Sequence, residues 1–301
     1  MTFRTRFAPS PTGPLHLGHA YSAILAHDMA RAKGGAFLLR IEDIDQTRAK
    51  PEWEDLIYDD LSWLGLTWDE PVMRQSERMD IYAAALDKLW DRDLLYPCTC
   101  NRRDIAQAAS APQEGAPLRG PDGIIYPGTC RSKPRMPNHM CARPEHTALR
   151  LNMAQAALAD DVFVPRLGTA GVAAFEEKGN GEGIPRGLIE FTPEDVAHDI
   201  GDVVLARRDM GGSYHLSVVL DDAAQGITDV VRGADLFDAT RIHVILQRLL
   251  GLPTPVYHHH RLIRDEKGKR LAKRDDARAI RTYREEGLTP SDIRALVGLS
   301  Y

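Results

Sequence analysis

Residues 6–20, RFAPSPTGPLHLGHA, confine a strand, a turn and a helix start to one short stretch at the beginning of the chain. Phe7 and Ala8 form an apolar strand end, and Pro9, Pro11, Gly13 and Pro14 then turn the chain because neither a strand interior nor a helix accommodates them. His16-Leu17-Gly18-His19 opens an apolar periodicity through Ile24, Leu25 and Met29, the spacing of a helix with one buried face. A helix that starts where a strand ends offers unpaired amides and a positive dipole end to phosphate, and Gly18 lets a flat nucleotide approach the backbone. His16 and His19 add two imidazoles able to donate to phosphate oxygens. About 250 residues later, the Gly-containing loop GKRLAKRD at 268–275 brings Lys269, Arg270, Lys273 and Arg274, a cationic arm suited to a departing pyrophosphate. The two segments together predict an ATP site built from Pro9, His16, Gly18, His19 and Lys273. Mg2+ would bridge the phosphates, and His16, His19 and Lys273 would stabilise the reacting phosphorus.

The periodicity beyond this segment predicts strands over 2–8 and 36–41 around a helix over 17–33, which is a βαβ unit. Pro51 suits the first turn of a helix running to Leu64, and 80–92 reads as another amphipathic helix. From Pro97 to about Pro144 the composition shifts to Pro, Gly, Arg and Cys without apolar periodicity, as expected of an inserted, metal-pinned subdomain. Strand-like runs return at 149–151 and 203–206, with a Gly-rich stretch at 179–187 between them left unassigned. Apolar runs at 214–220 and 226–231 and a periodic helix over 234–250 complete the pattern. The expected fold is α/β, a doubly wound parallel sheet of Rossmann type with a small inserted zinc-binding subdomain. The expected division places the first half of the core at 1–96, the inserted acceptor-type subdomain at 97–200, the second half of the core at 201–255, and the basic loop with a helical end at 256–301.

A chain of 301 residues with 43% hydrophobic content can bury a substantial core, and no segment reaches the uninterrupted apolar length of a membrane span. A cytoplasmic location follows, with no membrane partner and a monomer expected. The formal net charge of −5 argues against nonspecific coating of nucleic acid. Residues 261–284 nevertheless carry ten Lys/Arg against four Asp/Glu, a local +6 that suits either a phosphate backbone or a solvated helix end.

Four cysteines in so long a chain are no disulfide scaffold, and the clustering of Cys98, Cys100 and Cys130 favours a structural Zn2+. The residues alone leave the fourth ligand open among Cys141, His139 and His146. His258, His259 and His260 read as surface or supporting imidazoles, because consecutive residues of an extended segment point to opposite faces and cannot converge on one ion.

HLGH and RLAKR resemble the HIGH and KMSKS signatures of class I aminoacyl-tRNA synthetases of the glutamyl branch, the second departing at Arg270 and Ala272. Further similar segments are RIEDID at 40–45, YHLSVVLDDAAQGITDVVRGADL at 214–236, and CTC at 98–100 followed by YPGTC at 126–130. The resemblance covers most of the chain and implies L-glutamate and ATP as substrates. By matched motif position it implies a glutamate pocket of Arg6, Ala8, Ser10, Glu42, Tyr214 and Arg232, and a zinc ligand set of Cys98, Cys100, Tyr126 and Cys130. Arginine forks suit carboxylates and an acid suits the ammonium group. Arg232 could instead form a buried ion pair with Asp235 or Asp229, and Glu42, beside Asp43 and Asp45, could be no more than an acidic turn. Only about thirty residues follow Lys273, too few for an anticodon-binding domain. The resemblance therefore implies the shortened branch of the family, which attaches glutamate to the queuosine base of tRNA(Asp). Competing readings are a minimal enzyme charging the 3′ end of tRNA(Glu), a small-molecule nucleotidylyltransferase, and a noncatalytic tRNA-binding paralogue.

Overall fold

A computed structural model describes residues 2–109, 119–134, 136–166, 169–264 and 278–299. Strand Arg4–Phe7 pairs in parallel with Ala36–Ile41, which pairs in parallel with the short strand Met73–Arg74. Helix Leu17–Ala32 makes the first crossover and ends against Gly34, whose positive φ of 60° reverses the chain into Ala36–Ile41. Five of the six residues of Ala36–Ile41 are buried, as expected of a parallel strand covered on both faces. On the other side of Arg4–Phe7, the Thr228 amide donates to the Arg4 carbonyl at 3.0 Å and the Arg4 amide to Thr228 Oγ1 at 2.9 Å. These bonds bring strand Asp229–Gly233 alongside, and it pairs in parallel with Val256–His260 across helix Thr240–Leu249. The spatial order Met73–Arg74, Ala36–Ile41, Arg4–Phe7, Asp229–Gly233, Val256–His260 is that of a doubly wound sheet, and its direction of growth reverses between Arg4–Phe7 and Asp229–Gly233.

Strand Thr169–Glu177 extends this sheet, meeting Val256–His260 in parallel at Glu177 and Tyr257, and Gly187–Phe191 returns antiparallel to it. The expected inserted region thus contributes a hairpin to the central sheet. The unassigned stretch at 179–187 is the connection of that hairpin. The remainder of the insertion is built on an antiparallel sheet of Leu95–Cys98, Ala148–Leu151 and Val204–Ala206, so the expected boundary after residue 96 falls inside a strand.

One open run gains an assignment and one expectation changes. The apolar run at 214–220 opens helix Tyr214–Ala224, capped by the Ser213 side chain. The single helix expected over 234–250 is instead a 3-10 turn, Ala234–Leu236, and a helix, Thr240–Leu249. The Arg232 guanidinium takes the Leu236 carbonyl at 3.3 Å and Thr240 Oγ1 at 2.7 Å, while the Thr240 amide bonds Phe237 rather than Leu236. A buried cation thus draws on the last carbonyl of the 3-10 turn, which periodicity cannot register. Ile280, Ile293 and Val297 of the C-terminal helices pack into the core beneath Leu17–Ala32. Among the described residues no helix is long and apolar enough to cross a membrane.

Candidate active site and metal centre

At the switch point of the sheet, beyond the carboxyl ends of Arg4–Phe7 and Asp229–Gly233, lies a cleft of about 560 Å³. Its lining includes Arg6, Ala8, Ser10, His16, Gly18, His19, Glu42, Tyr214 and Arg232. Nine of the residues expected from sequence to bind ATP or glutamate therefore converge on one cavity. Pro9 is not among them; it is buried, and its carbonyl accepts from the Glu42 amide at 3.0 Å, holding the ends of two strands together. Lys273, with the rest of 265–277, lies outside the described residues. The residues on either side of that segment are at the cleft: Leu262 and Ile263 line it, and Ala279 bridges to His16.

The two histidines occupy the helix start in a way the sequence reading did not anticipate. His16 Nδ1 accepts from the Gly18 amide at 3.1 Å, and His19 Nδ1 accepts from the His16 amide at 3.2 Å. The amides expected to face phosphate are thus capped by the imidazoles themselves. Because each Nδ1 is an acceptor, the ring proton of each neutral imidazole resides on Nε2, where it is a donor. The rings lie 3.8 Å apart, centroid to centroid, and form a paired donor group at the cleft wall. Gly18 has little room for a side chain, since a Cβ there would come 3.0 Å from the His16 ring.

Arg6 and Arg232 have contrasting partners. Arg6 is engaged by Asp222 through Nε at 2.9 Å and Nη2 at 3.3 Å. Asp222 also accepts from Arg40 at 2.6 Å, and Arg40 lies 3.3 Å from Glu42. Burial pushes the Asp222 carboxyl up, but Arg6 and Arg40 outweigh it and hold the group below the usual carboxylate range. Glu42 goes the other way: burial raises it more than Arg40 and Arg6 lower it, so these two arginines do not fully compensate its charge. Tyr214 is likewise raised by burial and stays a neutral phenol.

Arg232 makes neither of the ion pairs offered as its alternative. Its Nε donates to His259 Nε2 at 3.0 Å and its Nη1 to His243 Nδ1 at 3.0 Å, and among the described residues no carboxylate lies within ion-pair distance. Burial, then Arg232 itself, keeps His243 well below its ordinary value, so this partner is neutral. Asp229 pairs instead with His258 at 2.7 Å. The three consecutive histidines point apart, as expected, but His259 and His260 are buried rather than on the surface; His260 bonds Ser22 at the cleft edge at 2.6 Å.

In the inserted region, Cys98, Cys100 and Cys130 bring their sulfurs within 4.8 Å of one another. The Cys100 and Cys130 sulfurs are 3.6 Å apart, and the Tyr126 hydroxyl lies 3.5 Å from Cys98 Sγ and 3.4 Å from Cys100 Sγ. A tetrahedral Zn2+ with bonds of about 2.3 Å to sulfur separates its sulfurs by roughly 3.8 Å, and an oxygen ligand sits slightly closer. The three separations of 3.4–3.6 Å lie close to that spacing. Burial raises the Cys130 thiol, but hydrogen bonds centred on Tyr126 outweigh it and bring it down to about 6, a thiolate at neutral pH. Arg150 adds positive charge, with Nε 3.3 Å from Cys98 Sγ and its guanidinium 3.9 Å over the Tyr126 ring. His139, His146 and Cys141 are not in the cluster.

Sequence reasoning gave no role to Arg40, Asp222, His243 and Glu177, and did not tie His259 to Arg232. For Asp221 and Asp222 a signal was present, since two acids inside an apolar helical run are buried only with partners. Glu177 and His259 meet across 82 residues and leave no local pattern.

A family model described as tRNA synthetases class I (E and Q), catalytic domain, matches residues 2–157 and 179–300. Glutamyl-Q tRNA(Asp) synthetase of Rhodobacter capsulatus is 66% identical over 295 residues, covering 98% of this chain and 99% of that protein. Its namesake from Deinococcus radiodurans is 42% identical, over 98% of this chain and 88% of its own. A glutamate tRNA ligase from Elizabethkingia meningosepticum, crystallised in complex with its amino acid, superposes with a TM-score of 0.73 at 27% identity. All of this chain is covered in that comparison, and it spans 61% of the ligase.

Proposed function

The chain belongs to the class I tRNA synthetases (E and Q), and from that premise we propose that it activates L-glutamate with ATP and transfers it to the queuosine base of tRNA(Asp). The observation that carries this reading is the convergence of the HLGH histidines with Glu42, Tyr214 and Arg232 on one cleft at the sheet's switch point. An oxygen of the substrate's α-carboxylate attacks the α-phosphorus of ATP, and the bond to pyrophosphate breaks. The nucleophile is already ionised, so the site needs positioning and charge stabilisation, not a general base. Arg232 would hold the carboxylate that does not react, and Glu42 the ammonium group. His16 and His19 would donate from Nε2 to phosphate, with Pro9 and Gly18 shaping the turn and Lys273 meeting the leaving pyrophosphate; Mg2+ accompanies ATP. In the second step a queuosine hydroxyl displaces AMP from the mixed anhydride. Arg6, Ala8 and Ser10 complete the wall around the amino acid.

Cys98, Cys100, Tyr126 and Cys130 would hold a structural Zn2+ that pins the inserted region. The donor spacing and the low Cys130 thiol support this assignment. We take the reaction to be cytoplasmic, a compartment that supplies both ATP and tRNA.

Glutamate-dependent ATP–pyrophosphate exchange measured without RNA, followed by two labelled-glutamate acceptors, tests the whole reading. A queuosine-bearing anticodon stem-loop of tRNA(Asp) should become labelled, and intact tRNA(Glu) should not. Labelling of tRNA(Glu) alone would overturn the assignment in favour of 3′-end charging, and exchange independent of glutamate would remove the amino-acid pocket.

A further inference from the structure

We propose that Glu177 is a positioning residue for the amino-acid pocket: it fixes the tautomer of His259, so that Arg232 meets a lone pair and keeps its charge for the substrate carboxylate. The inference rests on the reading of Arg232 as the glutamate-binding arginine. Glu177 and His259 are both fully buried. Glu177 Oε1 accepts from the His259 amide at 3.0 Å and the Gly179 amide at 2.6 Å, and Oε2 bonds His259 Nδ1. Burial favours a neutral carboxyl, but the bonds from His259 and the Gly179 amide prevail and keep Glu177 below its ordinary value. An ionised carboxylate only accepts, so the His259 proton must lie on Nδ1 and leave Nε2 bare. Arg232 Nε–H donates to that bare nitrogen. The opposite tautomer, or an imidazolium, would set an N–H against the guanidinium N–H in a site closed to water. Burial is the main force holding His259 below its usual value, which keeps the ring neutral.

A carboxylate placed directly on Arg232 would hold it as firmly, but would consume the charge needed by the substrate. Glu177 instead acts at one remove. Its position depends on Gly179, where a Cβ would lie 2.2 Å from the His259 carbonyl and 2.6 Å from Glu177 Oε1. This gives the first glycine of the 179–187 connection a role. Glu177 itself falls in 158–178, the stretch between the two matched segments of the family model. On the opposite side of Arg232, His243 Nε2 lies 3.2 Å from His215 Nδ1, the arrangement that a proton on His243 Nε2 and a bare Nδ1 facing Arg232 would make.

Glu177→Gln tests the proposal, because a carboxamide cannot accept on both sides. With its oxygen on the two backbone amides, its NH2 meets Nδ1 and drives the proton to Nε2; reversed, it sets NH2 against two backbone N–H groups. The 15N spectrum of the histidine-labelled full chain reads the tautomer, and pyrophosphate exchange reads KM for glutamate and for ATP separately. Wild type should show a bare Nε2 at His259. Glu177→Gln should change that signal and raise KM for glutamate about tenfold or more, as expected for an unsatisfied buried donor, with kcat and KM for ATP within about twofold. In a His259→Gln background, which offers an acceptor oxygen without a tautomer, Glu177→Gln should add little. A wild-type His259 protonated on Nε2 would overturn the proposal, as would a changed signal with unchanged KM for glutamate, or an undiminished effect in the His259→Gln background. Arg232→Ala separates the two claims: if it leaves KM for glutamate unaltered, the pocket reading fails while the tautomer measurement still stands.

Discussion

Arg40 and Arg232 are nearly equally withdrawn from water, at 0% and 6% exposure, yet they are held by opposite kinds of partner. Arg40 touches Asp222 and Glu42 and approaches Asp221 at 3.9 Å, and Asp222 in turn engages Arg6. Arg232 is held by two imidazoles, a hydroxyl and a carbonyl. The first arrangement compensates the Arg40 charge with carboxylates already in place, so Arg40 itself has no charge to offer an anion. The second fixes the direction of a cation without neutralising it, which is the condition for binding an anion that has yet to arrive. The difference separates two roles that an arginine in a matched motif could equally have filled.

Breaking the balanced cluster should have the largest effect. Asp222→Ala leaves Arg6 and Arg40 buried beside too few carboxylates, and chemical denaturation should report a loss of about 3–5 kcal/mol. A loss below 1 kcal/mol would mean that Arg40 finds another partner and that the cluster is not the scaffold described. Arg232→Ala removes a charge-assisted contact to substrate instead, so kcat/KM for glutamate should fall about 10²- to 10³-fold while KM for ATP changes little. Equal losses for both substrates would place Arg232 with Arg40 among the structural arginines.

The metal centre offers an intermediate case, since Arg150 lies against donors whose net charge changes when they ionise. Cys100→Ser should abolish stoichiometric zinc in purified protein, and Tyr126→Phe should weaken zinc by more than about tenfold while Cys141→Ser has no effect. Full zinc occupancy at unchanged affinity in Tyr126→Phe would exclude the phenol from the ligand set.

The sequence made much of this legible wherever the determinants are local. Residues 6–20 had to be strand, turn and helix start because prolines and glycine punctuate them, and the two histidines are read from the same few positions. The doubly wound sheet is expected from one βαβ unit at 2–41 and from the apolar runs and helix of the second half, without its strand order. What escaped was set by contacts across the fold. The Arg232 guanidinium draws on the Leu236 carbonyl and splits a helix that looks continuous by periodicity. The sequence leaves His259 open between a surface and a supporting imidazole because its partner Glu177 is 82 residues away, on a strand that joins the central sheet only in three dimensions. Long-range polar contacts of this kind leave no spacing rule behind.

Asp60 sharpens the comparison from its empty side, as a buried carboxyl for which neither oxygen has a hydrogen-bond partner. It lies fully buried in helix Pro51–Trp63, beside the ion pair of Asp59 with Arg284 at 2.8 Å. Burial, reinforced by Asp59, raises its carboxyl to about 7, against a smaller opposing pull from Arg284 and Arg281. The folded-state value therefore lies above the unfolded one. The resulting stability is fully present below the ordinary carboxylate range, near pH 4, and is lost as pH rises through about 7. Asp60→Asn removes the titration but keeps the shape. It should be more stable than wild type by about 1–2 kcal/mol at pH 8, with the gain shrinking steadily towards pH 5 as the native carboxyl takes up its proton. Urea melts at both pH values provide the measurement. A gain that is the same at pH 5 and pH 8 would show that Asp60 does not titrate in this range and that water or a shifted Arg284 already satisfies it.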